Sequence, residues 1–312
     1  MSGHVTFIHG IANQPAPDRM LDIWKRIVAD GGDGVDLDVL GVSSSFIYWA
    51  DVMYEKNLDE MPDQESMIFE GVSAGQLPAI DESYLESTDD EEQAFLQSFI
   101  DTYNLDADPS TPVPSVSDVD VELAYRLEAL PLPWALKRPL MRILLRDVHH
   151  YLFDTEHSPR RDVNYRVQRE IRRRFVEATA QVTGRPHVVV AHSMGTVITY
   201  DLLKRVAEST AVDTVITLGS PLGLSEIQHK MKPEYSSHDG YASKAARWWN
   251  FSDRLDPVCG PDPRIANDYR KGGSSVITDV IVRNTGWFRH PVDKYLRQPS
   301  VQAAIRSGLG IE

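Results

Sequence analysis

A serine between a strand and a helix is the first candidate for chemistry in this chain. In PHVVVAHSMGTVITYDLLKRV, Pro186 to Val206, four apolar residues in a row (Val188, Val189, Val190, Ala191) read as a strand buried on both faces. From Met194 onwards the apolar residues Val197, Ile198, Leu202 and Leu203 take helical spacing, so Ser193 falls at the turn. Ala191 and Gly195 leave room for a bend sharp enough to hold a serine at positive φ, a variant of G-x-S-x-G with Ala191 in place of the first glycine. The helix would aim its free N–H groups and the positive end of its dipole at Ser193, and the Met194 N–H would form half of an oxyanion hole. The chemistry these residues suit is acyl transfer through a serine nucleophile.

A serine hydroxyl attacks well only when a base takes its proton, and that base needs an acid to fix its tautomer and steady its positive charge. On a doubly wound sheet the three groups sit at the carboxyl ends of strands, in the chain order Ser, Asp or Glu, His. After Ser193 the first acids beyond a convincing strand end are Asp253 and Asp256, and simple enumeration leaves His290 as the only histidine after them. His229 and His238 come too early.

These side chains require an α/β scaffold, and the flanking pattern supplies one. His4 to His9 reads as a strand, and a helix from about Asp18 to Ala29 carries Met20, Leu21, Trp24, Ile27 and Val28 on one face. Val35–Leu40 and Phe46–Ala50 read as strand pieces, the second belonging to the central sheet, in a parallel βαβ unit. From Asp51 to about Arg160 the alternation breaks. There EEQAFLQSFIDTYN, VELAYRLEAL and WALKRPLMRILLRDVHHYLF read as helices, the last with Leu136, Leu140, Ile143, Leu144, Val148 and Tyr151 on one side. Such a basic amphipathic helix can lie on a membrane surface, but the favoured reading is a cap helix with its basic residues solvated or facing acidic chain. Alternation resumes with an arginine-rich helix (164–183), the Ser193 unit, a strand at Val212–Leu218 ending in GSPLGL, a polar loop (225–244), and strands at Ala246–Phe251 and Ser275–Val282. The expected organisation is a core from residues 1–51 and 160–312, with 52–159 as an acidic, mostly helical cap over the serine.

Composition narrows the function classes. The 312 residues are 42% hydrophobic and 25% charged, as in ordinary globular proteins. The net charge of −14 is concentrated: residues 51–120 hold 19 acidic residues against Lys56 alone. That speaks against a nucleic-acid partner, which needs a basic surface. No apolar run approaches the roughly 18 residues of a membrane span, so no stable membrane insertion is expected. The single cysteine, Cys259, excludes an intramolecular disulfide; with no secretory leader in MSGHVTFIHG, the expectation is a cytoplasmic protein. G-x-G-x-x-G is absent between a strand and a helix, and neither a metal nor an organic cofactor is called for.

Taken together, AHSMG, the preceding FIHG, LDPV and RHPVDKYL give the chain a resemblance to the α/β-hydrolase superfamily, most similar to bacterial lipase-like and GPI-inositol-deacylase-like serine esterases. The resemblance implies an α/β-hydrolase fold of about six parallel strands without the two antiparallel edge strands. It favours Asp256, which stands before Pro257 and Val258, over Asp253, and it fits His290 with Tyr295 shortly beyond. It also implies that His9 and Gly10 form the motif after the first strand, that Ile11 supplies the second oxyanion-hole N–H, and that His9 anchors the loop rather than acting as base. The expected activity is hydrolysis of a small-molecule or lipid-like ester; an amidase, thioesterase or phospholipase would use the same groups, and a binding module would keep the fold without turnover.

Overall fold

The computed structural model describes residues 3–31, 34–58, 82–87, 89–106, 134–231, 239–286 and 288–311. In chain order these form β1 (His4–Ile8), α1 (Pro17–Ala29), β2 (Ser43–Ile47), α2 (Ala50–Met53), α3 (Asp90–Tyr103), α4 (Trp134–Leu152), β3 (Glu156–Arg160), β4 (Val163–Arg166) and α5 (Val167–Ala180). There follow β5 (His187–His192), α6 (Met194–Arg205), β6 (Val212–Leu218), α7 (Ser225–Lys230), β7 (Ala245–Asp253), β8 (Thr278–Val282), α8 (Val292–Leu296) and α9 (Pro299–Leu309). Six of the strands make one sheet in the order β2-β1-β5-β6-β7-β8, with every pair parallel.

The continuous apolar run of β5 has its explanation in two cores. Val188 and Val190 face a cluster with Trp24 and Val28 of α1 and Val301 and Ile305 of α9, while Val189 and Ala191 face a second cluster with Phe175 of α5 and Val197 and Ile198 of α6. Successive strand residues point to opposite faces, so a strand covered on both sides is apolar throughout. The described helices α3 and α4 share the core of the sheet: Phe95, Phe99, Leu140, Leu144 and Val148 belong to the second cluster, together with Ile8 and Ile11. None of the described helices is long and apolar enough to cross a membrane.

Several expectations need correction. Val35–Leu40 is not a strand: the Asp36 carboxylate accepts from Asp38 N and Val39 N, Leu40 N bonds Asp36 O, and Val39 is 83% exposed. An aspartate that offers its own oxygen to the backbone favours a turn over a ladder. The second strand lies earlier than Phe46–Ala50, because Ser43 and Ser45 hydroxyls bond the two ring nitrogens of His4 on β1, and Ala50 already begins α2. Asn164–Arg166 belong to a β3–β4 hairpin rather than to the arginine-rich helix. Within the expected polar loop 225–244, α7 buries Glu226 and Ile227. The expected helix VELAYRLEAL and the side chain of Leu136 lie outside the described residues.

Candidate active site

Ser193 is the residue between β5 and α6, at φ 52° and ψ −129°, a conformation costly for a residue with a Cβ. The surrounding bonds impose it. Ser193 N donates to Leu218 O of β6 at 2.9 Å, and Ser193 O accepts from Thr196 N at 2.9 Å and Thr196 Oγ1 at 2.7 Å. Two glycines make the turn sterically possible. A Cβ on Gly195 would stand 2.6 Å from His9 O, and one on Gly10 would stand 2.5 Å from Ser193 Cβ. The Ser193 Oγ is buried and makes no hydrogen bond in the structure, although a hydroxyl in such a place ordinarily has a partner.

Asp256, beyond the end of β7, and His290, beyond β8, meet as a pair: His290 Nδ1 and Asp256 Oδ2 are 2.7 Å apart, both side chains fully buried. The same Oδ2 accepts from the Tyr295 hydroxyl at 2.7 Å, and Oδ1 accepts from Val258 N at 2.9 Å. Burial pushes the Asp256 carboxyl up, but the His290 ring, the Tyr295 hydroxyl and the Val258 N–H outweigh it and hold the group below the ordinary carboxylate range. Asp253 is spent elsewhere: it accepts from Leu255 N and Asn284 N and pairs with Arg289 at 3.3 Å. Asp256 is therefore the carboxylate on the His290 ring.

The histidine pair is tied to the serine through the serine's own neighbour. The His192 ring lies 4.6 Å from the His290 ring, centroid to centroid, and its Nε2–H donates to His290 O at 2.8 Å. Burial and the neighbouring His290 push the His192 imidazole down to about 3, so it stays neutral and keeps that bond. Gly219, after β6 at φ +57°, makes room for the pair: a Cβ there would lie 3.0 Å from Asp256 Oδ2 and 3.1 Å from His290 Nδ1.

The loop after β1 faces the serine from the other side. His9 is occupied at both nitrogens, Nδ1–H donating to Gly10 O at 2.9 Å and Nε2 accepting from Trp49 N at 3.0 Å, and burial pushes it down to about 3. That is the bonding of an anchor. The N–H groups of Ile11 and Met194 donate to no described residue, and the Met194 N–H is the first of α6. Among the described residues no group of three or more His, Cys, Asp and Glu side chains is arranged to hold a metal ion.

The structure thus brings Ser193, Asp256, His290, Gly10, Gly195 and the Met194 N–H to one rim of the sheet, at the carboxyl ends of β1, β5, β6 and β7. Sequence reasoning missed the Tyr295 hydroxyl on Asp256, the space left by Gly219, and His192. GSPLGL at a strand end was the signal for Gly219; nothing in the sequence marked the hydroxyl bond, which spans 39 residues. No protein-family model matches the chain, and no curated protein is significantly similar to it in sequence.

Proposed function

We propose that the chain is an α/β-hydrolase-type serine esterase that cleaves carboxylic esters through an acyl-enzyme. His290 Nε2 takes the Ser193 proton as Oγ attacks the ester carbonyl; the N–H groups of Ile11 and Met194 hold the oxyanion; His290 then gives the proton to the departing alcohol. Water, deprotonated by the same nitrogen, attacks the acyl carbon and releases the acid, and the proton returns to Ser193. Asp256 holds Nδ1–H throughout, keeping the lone pair on Nε2 and balancing the imidazolium that forms.

The observation that carries this reading is a serine held at φ 52° on a helix N-terminus, with its adjoining His192 packed on the ring of an Asp256-bound histidine. A sharp turn alone is common, and so is a buried His–Asp pair; their junction at one sheet rim is what acyl transfer requires. The test is hydrolysis of p-nitrophenyl acetate by the wild type and Ser193→Ala, with covalent labelling by a fluorophosphonate probe. The variant is expected to lose about 10³-fold or more in kcat/KM and all labelling. Equal rates in the two proteins refute the proposal.

A further inference from the structure

The inserted helix α4 sends a carboxylate to the loop that flanks the serine. Asp147 is fully buried, and its Oδ2 accepts from Ala12 N at 3.0 Å, across 135 residues of chain. Its Oδ1 takes Arg146 Nε at 3.0 Å and Nη2 at 2.6 Å, and Arg146 in turn bonds the Tyr54 hydroxyl and lies 4.8 Å from the centre of its ring. Burying such a pair is expensive, and apolar residues alone can seat a helix as well. α4 already has those residues in Leu140, Leu144, Val148 and Tyr151. Beyond its pairing with Arg146, the contact that an apolar residue could not make to the serine-side loop is the one to the Ala12 amide.

That amide lies in the loop whose orientation matters most. Ala12 is at φ +69°, a strained value for a residue with a Cβ, so the loop needs restraints to keep its shape. The peptide joining Ile11 to Ala12 is gripped at both ends, its carbonyl by Gln14 Nε2 at 2.9 Å and its N–H by Asp147. The preceding peptide, which carries the Ile11 N–H, is held by its Gly10 carbonyl on His9. In a trans peptide the N–H points opposite to the C=O, so fixing Gly10 O and the next plane fixes the direction of the Ile11 N–H.

We propose that Asp147 is a positioning residue of the oxyanion hole: through Ala12 it holds the Ile11 N–H in place, so that the inserted segment completes the catalytic site of the core. This rests on the reading of Ser193 as nucleophile and of Ile11 as an oxyanion donor.

The test compares the wild type, Ser193→Ala, Arg146→Met/Asp147→Ala and Arg146→Met/Asp147→Asn; replacing Arg146 avoids leaving a buried charge alone. Readouts are kcat and KM for p-nitrophenyl acetate, inhibition by a trifluoromethyl ketone that forms a tetrahedral oxyanion on the serine, and Tm. The alanine variant is expected to lose about 30- to 300-fold in kcat with KM within about threefold, and to weaken the ketone by the same factor as kcat. The asparagine variant, which again offers Ala12 N an acceptor, is expected to recover to within about fivefold of wild type. Equal kcat in the two variants, or a ketone affinity that does not follow kcat, overturns the proposal. Failure of the underlying reading shows separately, as activity retained by Ser193→Ala. Should the alanine variant not fold, amide exchange in the wild type decides: a protected Ala12 N–H is expected, and exchange at open-loop rates overturns the role.

Discussion

Replacing Gly10 by alanine tests the site with a single methyl group. The added Cβ would sit 2.5 Å from Ser193 Cβ, 3.1 Å from Ser193 Oγ and 3.1 Å from His192 Nδ1. Carbon atoms in contact stand about 3.5–4.0 Å apart, so roughly 1 Å of overlap must be relieved. Ser193 cannot yield easily, since Leu218 O, Thr196 N and Thr196 Oγ1 hold its backbone. The loop carrying Ile11 yields instead, moving the proposed donor by the order of the overlap. A displacement of about 1 Å at a reacting centre costs about 10²-fold in rate, and losing one oxyanion donor costs about 10²–10³-fold, or roughly 3–4 kcal/mol. We expect kcat for p-nitrophenyl acetate to fall by about 10²–10³, KM to change little, and Tm to drop by the few degrees that overpacking of about 1–3 kcal/mol implies. A folded Gly10→Ala protein with wild-type kcat would falsify the assignment of a catalytic donor to this loop.

Further expectations follow from the same geometry. Asp256→Asn should lower kcat by about 10⁴-fold with the protein still folded, because the amide favours the wrong His290 tautomer; Asp253→Asn should instead lower Tm while kcat at a permissive temperature stays within about tenfold, as the Arg289 charge loses its buried partner. Exchanging these two effects reverses the assignment. Tyr295→Phe removes one donor from Asp256 Oδ2, so the carboxylate pulls harder on His290; kcat/KM should fall about three- to tenfold and the acid limb of its pH profile should move upward, and an unmoved limb means that the hydroxyl does not act through Asp256. His9 and His192 are held by burial at about 3 and His187 at about 4, against 6.5 when unfolded. The unfolded chain then binds more protons below 6.5, so stability is complete above that pH and falls as pH drops towards these values, by up to about 1.4 kcal/mol per pH unit for each ring. Urea midpoints that stay level from pH 7.5 to 5 contradict this.

The sheet and the three side chains were legible because each left a local mark. A four-residue apolar run at Val188–Ala191 requires cover on both faces, Ser193 stands where period 2 gives way to helical spacing, and only one histidine follows the acids. Choosing between Asp253 and Asp256 was harder, since Asp253 ends β7 and Asp256 stands only three residues beyond it. Their surroundings separate them, and those surroundings come from Asn284, Arg289 and Tyr295, far along the chain. The charges of α4 were illegible for a related reason. Arg146 and Asp147 look like any charges on an amphipathic helix, whose basic residues are expected in solvent or facing acidic chain; both are buried, because Ala12 N and Tyr54 meet them from segments about 90 to 135 residues away. Val35–Leu40 misled because an apolar alternation says nothing about an aspartate that satisfies the backbone itself.

The two aspartates divide the work in a way that explains how a histidine on an irregular segment is placed accurately. His290 lies on neither a strand nor a helix, so nothing regular fixes its ring. Asp253 takes Asn284 N at 2.6 Å and Arg289 Nη1, while Asn284 Nδ2 reaches Arg289 O at 2.7 Å, tying Asn284 and Arg289 to the end of β7. His192 then takes the carbonyl of His290 itself. The backbone on either side of the imidazole is thus bonded to strands β5 and β7, and α8 follows at once with Tyr295 bonded to both Asp253 N and Asp256 Oδ2. Each of these partners restrains position without touching the nitrogen that would face Ser193. The base role proposed for His290, which needs placement to within a few tenths of an ångström, is therefore compatible with a loop, provided that the loop is tied to the sheet on both sides and the reactive nitrogen is left out of the ties.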